Sequence, residues 1–167
     1  KIVLRLPDSE YIEVTVSSRE DRTVLLFEDI TERVKAEERI NFMAHYDALT
    51  GLPNRAYFTE QVEADLERRR QSKVGDAALL MIVDIDDFKH INDTMGHLIG
   101  DRVLVETSDR LRQALGQDCL VARLGGDEFI VYRSGLTANE DPAADADAIL
   151  TAFQRNFDIM GEVFSTN

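Results

Sequence analysis

The chain has 167 residues, 44% hydrophobic and 31% charged, a soluble globular composition with room for one domain or a domain plus a fragment. Its formal net charge of −13 argues against non-specific nucleic-acid binding, which needs basic surface, but allows a small anionic ligand neutralised by a metal or local cations. No apolar run reaches membrane-spanning length, no signal-peptide pattern is present, and the lone cysteine, Cys119, excludes an internal disulfide and fits a small strand residue in a reducing compartment. The chain starts with Lys1 and reads at once as a strand, so it is expected to be an excised piece of a cytoplasmic protein. This leaves an upstream membrane segment open.

Residues 2–6, 11–16 and 23–28 read as three strands, from their β-branched content and the alternation Ile12, Val14, Val16. They predict an antiparallel meander too small to be stable alone. Thr31 is the candidate N-cap of a charged helix carrying a weak heptad-like stripe: Ile30, Val34, Glu37 or Glu38, Asn41 and Ala44. The stripe suits either one amphipathic linker or a parallel two-helix contact that carries a signal between domains. Gly51 and Pro53 enforce a turn, Asn54 caps the next helix, and Phe58, Val62, Asp65 or Leu66, and Arg69 form its face. The run Arg68-Arg69-Arg70 spreads over several helix faces, which reads as a solvated helix end rather than a binding patch.

Residues 77–83 are a continuous apolar run closed by Asp84, the pattern of a central strand buried on both faces. A short helix over residues 88–93 follows and Gly96 breaks it. A second helix runs from about Gly100 to Leu115, with Val103, Leu104, Leu111 and Leu115 inward. Strands at 120–124 and 129–132 flank Gly125-Gly126, a tight-hairpin signal because two-residue turns need positive φ. Residues 135–145 read as a loop and 146–157 as a helix with Ile149, Leu150 and Phe153 inside. Residues 159–164 read as the start of a strand. From residue 54 the order is helix, strand, helix, helix, strand, strand, helix, strand. It predicts an α+β fold with helices on a mainly antiparallel sheet.

Asp127 and Glu128 follow the two glycines directly. They are either surface acids on a solvated turn or, beside a tip without side chains, a place where a phosphate and a metal come close. If the strand ending at Asp84 neighbours the hairpin, Asp84 and Asp127 can share one divalent ion, with the Ile85 carbonyl as a further ligand. Mg²⁺ takes few carboxylates and fills its shell with water and phosphate oxygens. Lys89, one turn into the following helix, would then meet phosphate oxygens. The alternative is that Asp84, Asp86 and Asp87 are simple helix N-terminal charges.

Gly125-Gly126-Asp127-Glu128-Phe129 matches the name motif of the GGDEF family, the diguanylate cyclases. Two further stretches stand in order and register with it: residues 47–55 resemble the family's opening motif, and residues 84–101 (DIDDFKHINDTMGHLIGD) resemble its metal-and-guanine segment. The resemblance implies a cyclase-like (ferredoxin-like) sheet with helices packed on it over residues 47–167. Residues 1–30 resemble the last strands of a PAS sensor domain, which makes residues 31–46 a signalling linker helix.

The family condenses two GTP into cyclic di-GMP and pyrophosphate, the 3′-hydroxyl of each nucleotide attacking the α-phosphate of the other across a homodimer. By resemblance, Asp84, the Ile85 carbonyl and Asp127 hold Mg²⁺ or Mn²⁺. Asp127 accepts the hydroxyl proton with Glu128 in support, and Lys89 stabilises the transition state. Asn92 and Asp101 match the guanine-binding positions, His97 a further substrate contact, and Gly125 and Gly126 the close backbone approach to the nucleotide. The alternative within the family is a catalytically silent GTP-binding module, of the kind often found beside a phosphodiesterase domain, which here could lie downstream of residue 167.

Two departures bear on activity. Many members carry an inhibitory product site, Arg-x-x-Asp, before the hairpin; here the equivalent residues are Gly116-Gln117-Asp118-Cys119, which implies weak or no product inhibition through that stretch. The family's domain also continues with another strand and a helix bearing phosphate-contacting lysine and arginine. The chain is therefore expected to be C-terminally incomplete and poorly active as it stands.

Overall fold

The structure, a computed structural model, describes residues 1–20, 22–72, 77–137, 139–159 and 162–164. The chain divides into two compact units, residues 1–43 and 44–167.

In the first unit, β1 (Ile2–Arg5), β2 (Tyr11–Arg19) and β3 (Arg22–Asp29) form an antiparallel sheet in the order β1-β2-β3, the expected meander. Its core is thin. Val14 and Ile30 are buried, whereas Val24, Leu25, Leu26 and Phe27 along β3 are all exposed. The sheet leads into α1 (Thr31–His45). Thr31 does not act as the expected cap. Its buried hydroxyl accepts the Tyr11 N–H at 2.9 Å, and the Asp29 carboxylate accepts the Thr31 N–H at 2.9 Å. A hydroxyl already committed to a neighbouring strand is not available to the first helical turn.

The second unit starts with a compact turn after α1. Asp47 N–H donates to the Leu52 carbonyl and Gly51 N–H to the Asp47 carbonyl, both at 2.8 Å, with Gly51 at φ +66°. Asn54 caps α2 (Arg55–Ser72) as expected, its Oδ1 accepting the Tyr57 N–H at 3.0 Å. Then come β4 (Ala77–Asp84), α3 (Phe88–Met95), α4 (His97–Leu115), β5 (Cys119–Gly125) and β6 (Glu128–Leu136). The unit ends with α5 (Ala143–Phe153) and two short antiparallel strands, β7 (Phe157–Ile159) and β8 (Glu162–Phe164).

The main sheet is antiparallel with order β4-β6-β5, and the helices cover both faces. Strand alternation explains this: Val121, Phe129 and Val131 point into the larger core with Val103, Leu104 and Leu111 of α4. Ala122, Ile130 and Tyr132 point the other way and meet Phe58 of α2. This is the α+β arrangement the element order predicts.

Four expectations are corrected. β4 is an edge strand among the described residues, not a central one, and Leu80 and Ile82 are 57% and 68% exposed. A continuous apolar run states that both faces are apolar; it does not state that both edges are paired. α4 begins at His97 rather than near Gly100, because the helical break is complete within Gly96 (φ +86°). α5 begins at Ala143 and ends at Phe153, so Phe157 lies in β7, and Leu150 is exposed. The expected single strand over 159–164 is instead parts of β7 and β8, with residues 160 and 161 outside the described ones.

Asp65 on the sheet-facing side of α2 accepts from the Tyr132 hydroxyl at 2.7 Å and from Arg69 Nε at 2.7 Å. The Tyr132 bond, ahead of the opposing effect of burial, holds the Asp65 carboxyl below its ordinary range. Burial, reinforced by Asp65, pushes the phenol up. Tyr132→Phe is expected to cost about 1.5–3 kcal/mol, the worth of a hydrogen bond to a charged acceptor, measured as a lowered urea midpoint with unchanged slope. Arg68 and Arg70 sit on other faces of the helix, paired with Asp65 and Glu67, so the basic run is a helix end and not a patch. Cys119 is half-buried on β5, and burial pushes its thiol up, away from reactivity.

Candidate active site

The β5–β6 hairpin is tighter than the glycine pair alone suggests. Gly125 pairs with Glu128, so the two turn residues are Gly126 and Asp127, and Asp127 lies in the turn itself. Gly125 has φ +139° and Gly126 φ +56°, backbone that side-chain-bearing residues rarely adopt. A Cβ on either glycine would meet nothing within 4 Å, so the tip opens on space rather than on protein.

The sheet register brings the acids together. Asp84, the last residue of β4, lies directly opposite Glu128, the first of β6. Residues directly paired across a ladder project from the same face, and like charges placed so are unfavourable. Beside them, buried Ile85 turns the chain, its carbonyl accepting the Phe88 N–H at 3.3 Å and keeping a second lone pair. Asp87 closes this corner in the left-handed region at φ +56°, which a short polar side chain tolerates. Asp86, Asp87 and Lys89 are exposed.

α3 and α4 meet at the Gly96 corner. Asn92 on α3 is half-buried, its side-chain amide beside Gly100 of α4, the residue before Asp101. His97 opens α4 and is exposed, as is Asp101. The expected site residues thus fall into two groups: Asp84, Ile85, Asp127 and Glu128 at one end of the sheet, and Asn92, His97 and Asp101 on the α3–α4 corner. Lys89 lies on the first turn of α3, between the groups in the chain.

Among the described residues, no three His, Cys, Asp or Glu side chains converge as a metal cluster. Two neighbouring carboxylates and a peptide carbonyl are instead an all-oxygen donor set. It fits a hard divalent ion that keeps much of its shell for water and substrate oxygens.

Sequence reasoning missed one element of the site. The Arg123 guanidinium donates from Nε and Nη2 to the Gly126 carbonyl, at 3.0 and 2.6 Å, and from Nη1 to Asp47 Oδ1 at 3.0 Å. Arg123 N–H also donates to the Pro53 carbonyl at 3.0 Å. The hairpin tip is therefore tied to the turn that follows α1. Asp47 lies within the motif at residues 47–55 and Arg123 in the strand just before the glycine pair, but nothing in their spacing indicates a pairing across 76 positions. At Asp47, burial works against the charge, but bonds from the Thr50 hydroxyl and N–H and from Arg123 outweigh it and hold the carboxyl below its ordinary range.

The sequence profile described as "Diguanylate cyclase, GGDEF domain" matches residues 44–167. The chain belongs to the GGDEF family. It is 42% identical over 125 residues to an uncharacterized signaling protein of Caulobacter vibrioides, covering 75% of this chain and 15% of that protein. It is 43% identical over 111 residues to the diguanylate cyclase TpbB of Pseudomonas aeruginosa, covering 66% of this chain and 25% of that one. It is also 38% identical over 131 residues to the cyclic di-GMP phosphodiesterase PdeR of Escherichia coli, covering 78% of this chain and 19% of that one. The chain thus spans a quarter or less of the length of these relatives. The isolated GGDEF domain of TpbB superposes with a TM-score of 0.67 at 41% identity, covering 74% of this chain and 71% of that one. The coiled coil and GGDEF domain of DgcB from Caulobacter crescentus, solved with cyclic di-GMP, gives 0.70 at 25% identity, covering 81% and 72%. No helix among the described residues is long and apolar enough to cross a membrane.

Proposed function

We propose that the GGDEF domain is a diguanylate cyclase, condensing two GTP into cyclic di-GMP and pyrophosphate as a homodimer. The observation that carries this reading is the register of Asp84 against Glu128, with Asp127 in the adjoining turn. Acids set side by side at the hairpin tip cost stability, and a divalent cation held between them would offset that cost. Asp84, the Ile85 carbonyl and Asp127 would hold Mg²⁺ or Mn²⁺. When bound, the ion supplies charge neutralisation at the phosphates. Asp127 takes the proton from the attacking 3′-hydroxyl, with Glu128 supporting the site. Lys89 neutralises charge on the phosphates as the transition state forms, since phosphoryl transfer depends mainly on positioning and electrostatics. Asn92 and Asp101 hydrogen-bond the guanine edge, whose O6 accepts and whose N1 and N2 donate, and His97 adds a substrate contact. Gly125 and Gly126 let the backbone approach the nucleotide.

Residues 1–30 fit the closing strands of a PAS-like sensor, residues 31–46 a signalling helix and residues 47–167 the cyclase domain. The exposed β3 side chains support the first assignment, because a three-stranded sheet with so little core is suited to be part of a larger domain.

The test is incubation with GTP and Mg²⁺ or Mn²⁺ and chromatographic detection of cyclic di-GMP. Nucleotide binding without product from a folded dimer would favour the second reading, a GTP-binding regulatory module, which the similarity to PdeR favours. The stretch Gly116-Gln117-Asp118-Cys119 lacks an arginine to clamp phosphate, so added cyclic di-GMP is expected to leave the initial rate unchanged through this segment. Chemical-shift changes mapping product to these residues would contradict that.

A further inference from the structure

We propose that Gly100 is a positioning residue that determines base specificity: the absence of a Cβ there seats the Asn92 amide in the orientation that reads guanine. The inference rests on the guanine-site reading above and names a residue that reading does not use. Gly100 is the fourth residue of α4 and is buried. Its φ is not among the positive ones, so no turn or left-handed conformation requires glycine here. Within a helix glycine is disfavoured relative to alanine, so its presence calls for a steric reason.

The reason lies in α3. A Cβ on Gly100 would stand 2.0 Å from Asn92 Oδ1, 2.9 Å from its Cγ and 3.4 Å from its Nδ2. All three nearest atoms belong to this one side chain. The obstruction is the end of a rotatable amide, not backbone or packed core. An added methyl would therefore turn the amide aside rather than separate the helices. Asn92 and Asp101 would then no longer present a joint set of donors and acceptors. Alanine at 100 is thus expected to favour the helix and to impair the site, a combination that a purely structural glycine does not produce.

Binding of GTP and of ATP, each with Mg²⁺, is measured by titration calorimetry on the parent chain, Gly100→Ala, Asn92→Ala and the double variant, with thermal melting of each. Gly100→Ala is expected to melt at or above the parent temperature and to bind GTP about tenfold or more weakly, the effect of losing a paired set of hydrogen bonds. Its preference for GTP over ATP should fall to that of Asn92→Ala. The double variant should bind like Asn92→Ala alone, because both changes remove the same contact. If Gly100→Ala melts early, the double variant must recover the melting temperature of Asn92→Ala; failure to do so overturns the proposal. Parental affinity and selectivity in Gly100→Ala, or additive losses in the double variant, also overturn it. Absence of GTP binding by the parent defeats the guanine-site reading itself, an outcome distinct from a parent that binds and a variant that is unchanged.

Discussion

Asp127→Ala is expected to lower cyclic di-GMP formation by between about a hundredfold and ten-thousandfold, the range for losing a positioned proton acceptor. Chromatographic rates at saturating GTP measure it. The fold should not suffer. Asp127 occupies the second position of a two-residue turn whose special conformation is carried by Gly126 at φ +56°. Asp84 and Glu128, paired across the ladder beside it, would feel less like-charge repulsion, so the melting temperature should hold or rise slightly. Loss of product without loss of stability separates a chemical role from a structural one. A variant that keeps activity within a few-fold of the parent would remove Asp127 from the reaction.

Arg123→Ala should act on both stability and activity. The guanidinium, 11% exposed, spans the Gly126 carbonyl and Asp47, so its removal deletes charge-assisted bonds at two ends. The expected cost is about 2–4 kcal/mol, from the worth of hydrogen bonds to charged groups, or roughly 5–15 °C in melting temperature for a chain of this size. The untethered hairpin tip then carries Asp127 imprecisely, and the rate should fall further than occupancy by nucleotide does. Arg123→Lys should recover little, since an ammonium cannot reproduce the fork.

The contact also has a pH signature. Asp47 titrates lower in the folded chain than its ordinary value, so the folded state binds its proton less readily than the unfolded one. Its contribution is therefore full above the ordinary aspartate range, near 4, and is lost as pH falls through the depressed value. Arg123→Ala should accordingly narrow its stability gap to the parent in acid, measured by denaturant unfolding from pH 7 downward. A gap that does not change with pH would mean that the Asp47 bond contributes nothing.

Much of the site was legible because its residues are clustered in the chain. The hairpin, its acids, and the strand end at Asp84 follow from turn chemistry and apolar patterning, and the motifs in residues 84–101 and 125–129 carry the family. What escaped depends on contacts between distant segments. Arg123 reads as an ordinary strand residue until the turn at residues 46–54 folds against it. Gly100 reads as a helix start, and is found instead inside a helix facing Asn92. Thr31 has every property of a cap, yet β2 claims its hydroxyl.

Local pattern, then, determined the element types, the hairpin and the family, because propensity, turn residues and alternation act over a few neighbouring positions. Tertiary structure alone decided that Asp84 stands opposite Glu128, that β4 lies at the sheet edge among the described residues, and that Arg123 holds the tip it precedes. Strand order, register and side-chain reach across 76 positions are set by which surfaces bury one another, and no local window contains both partners.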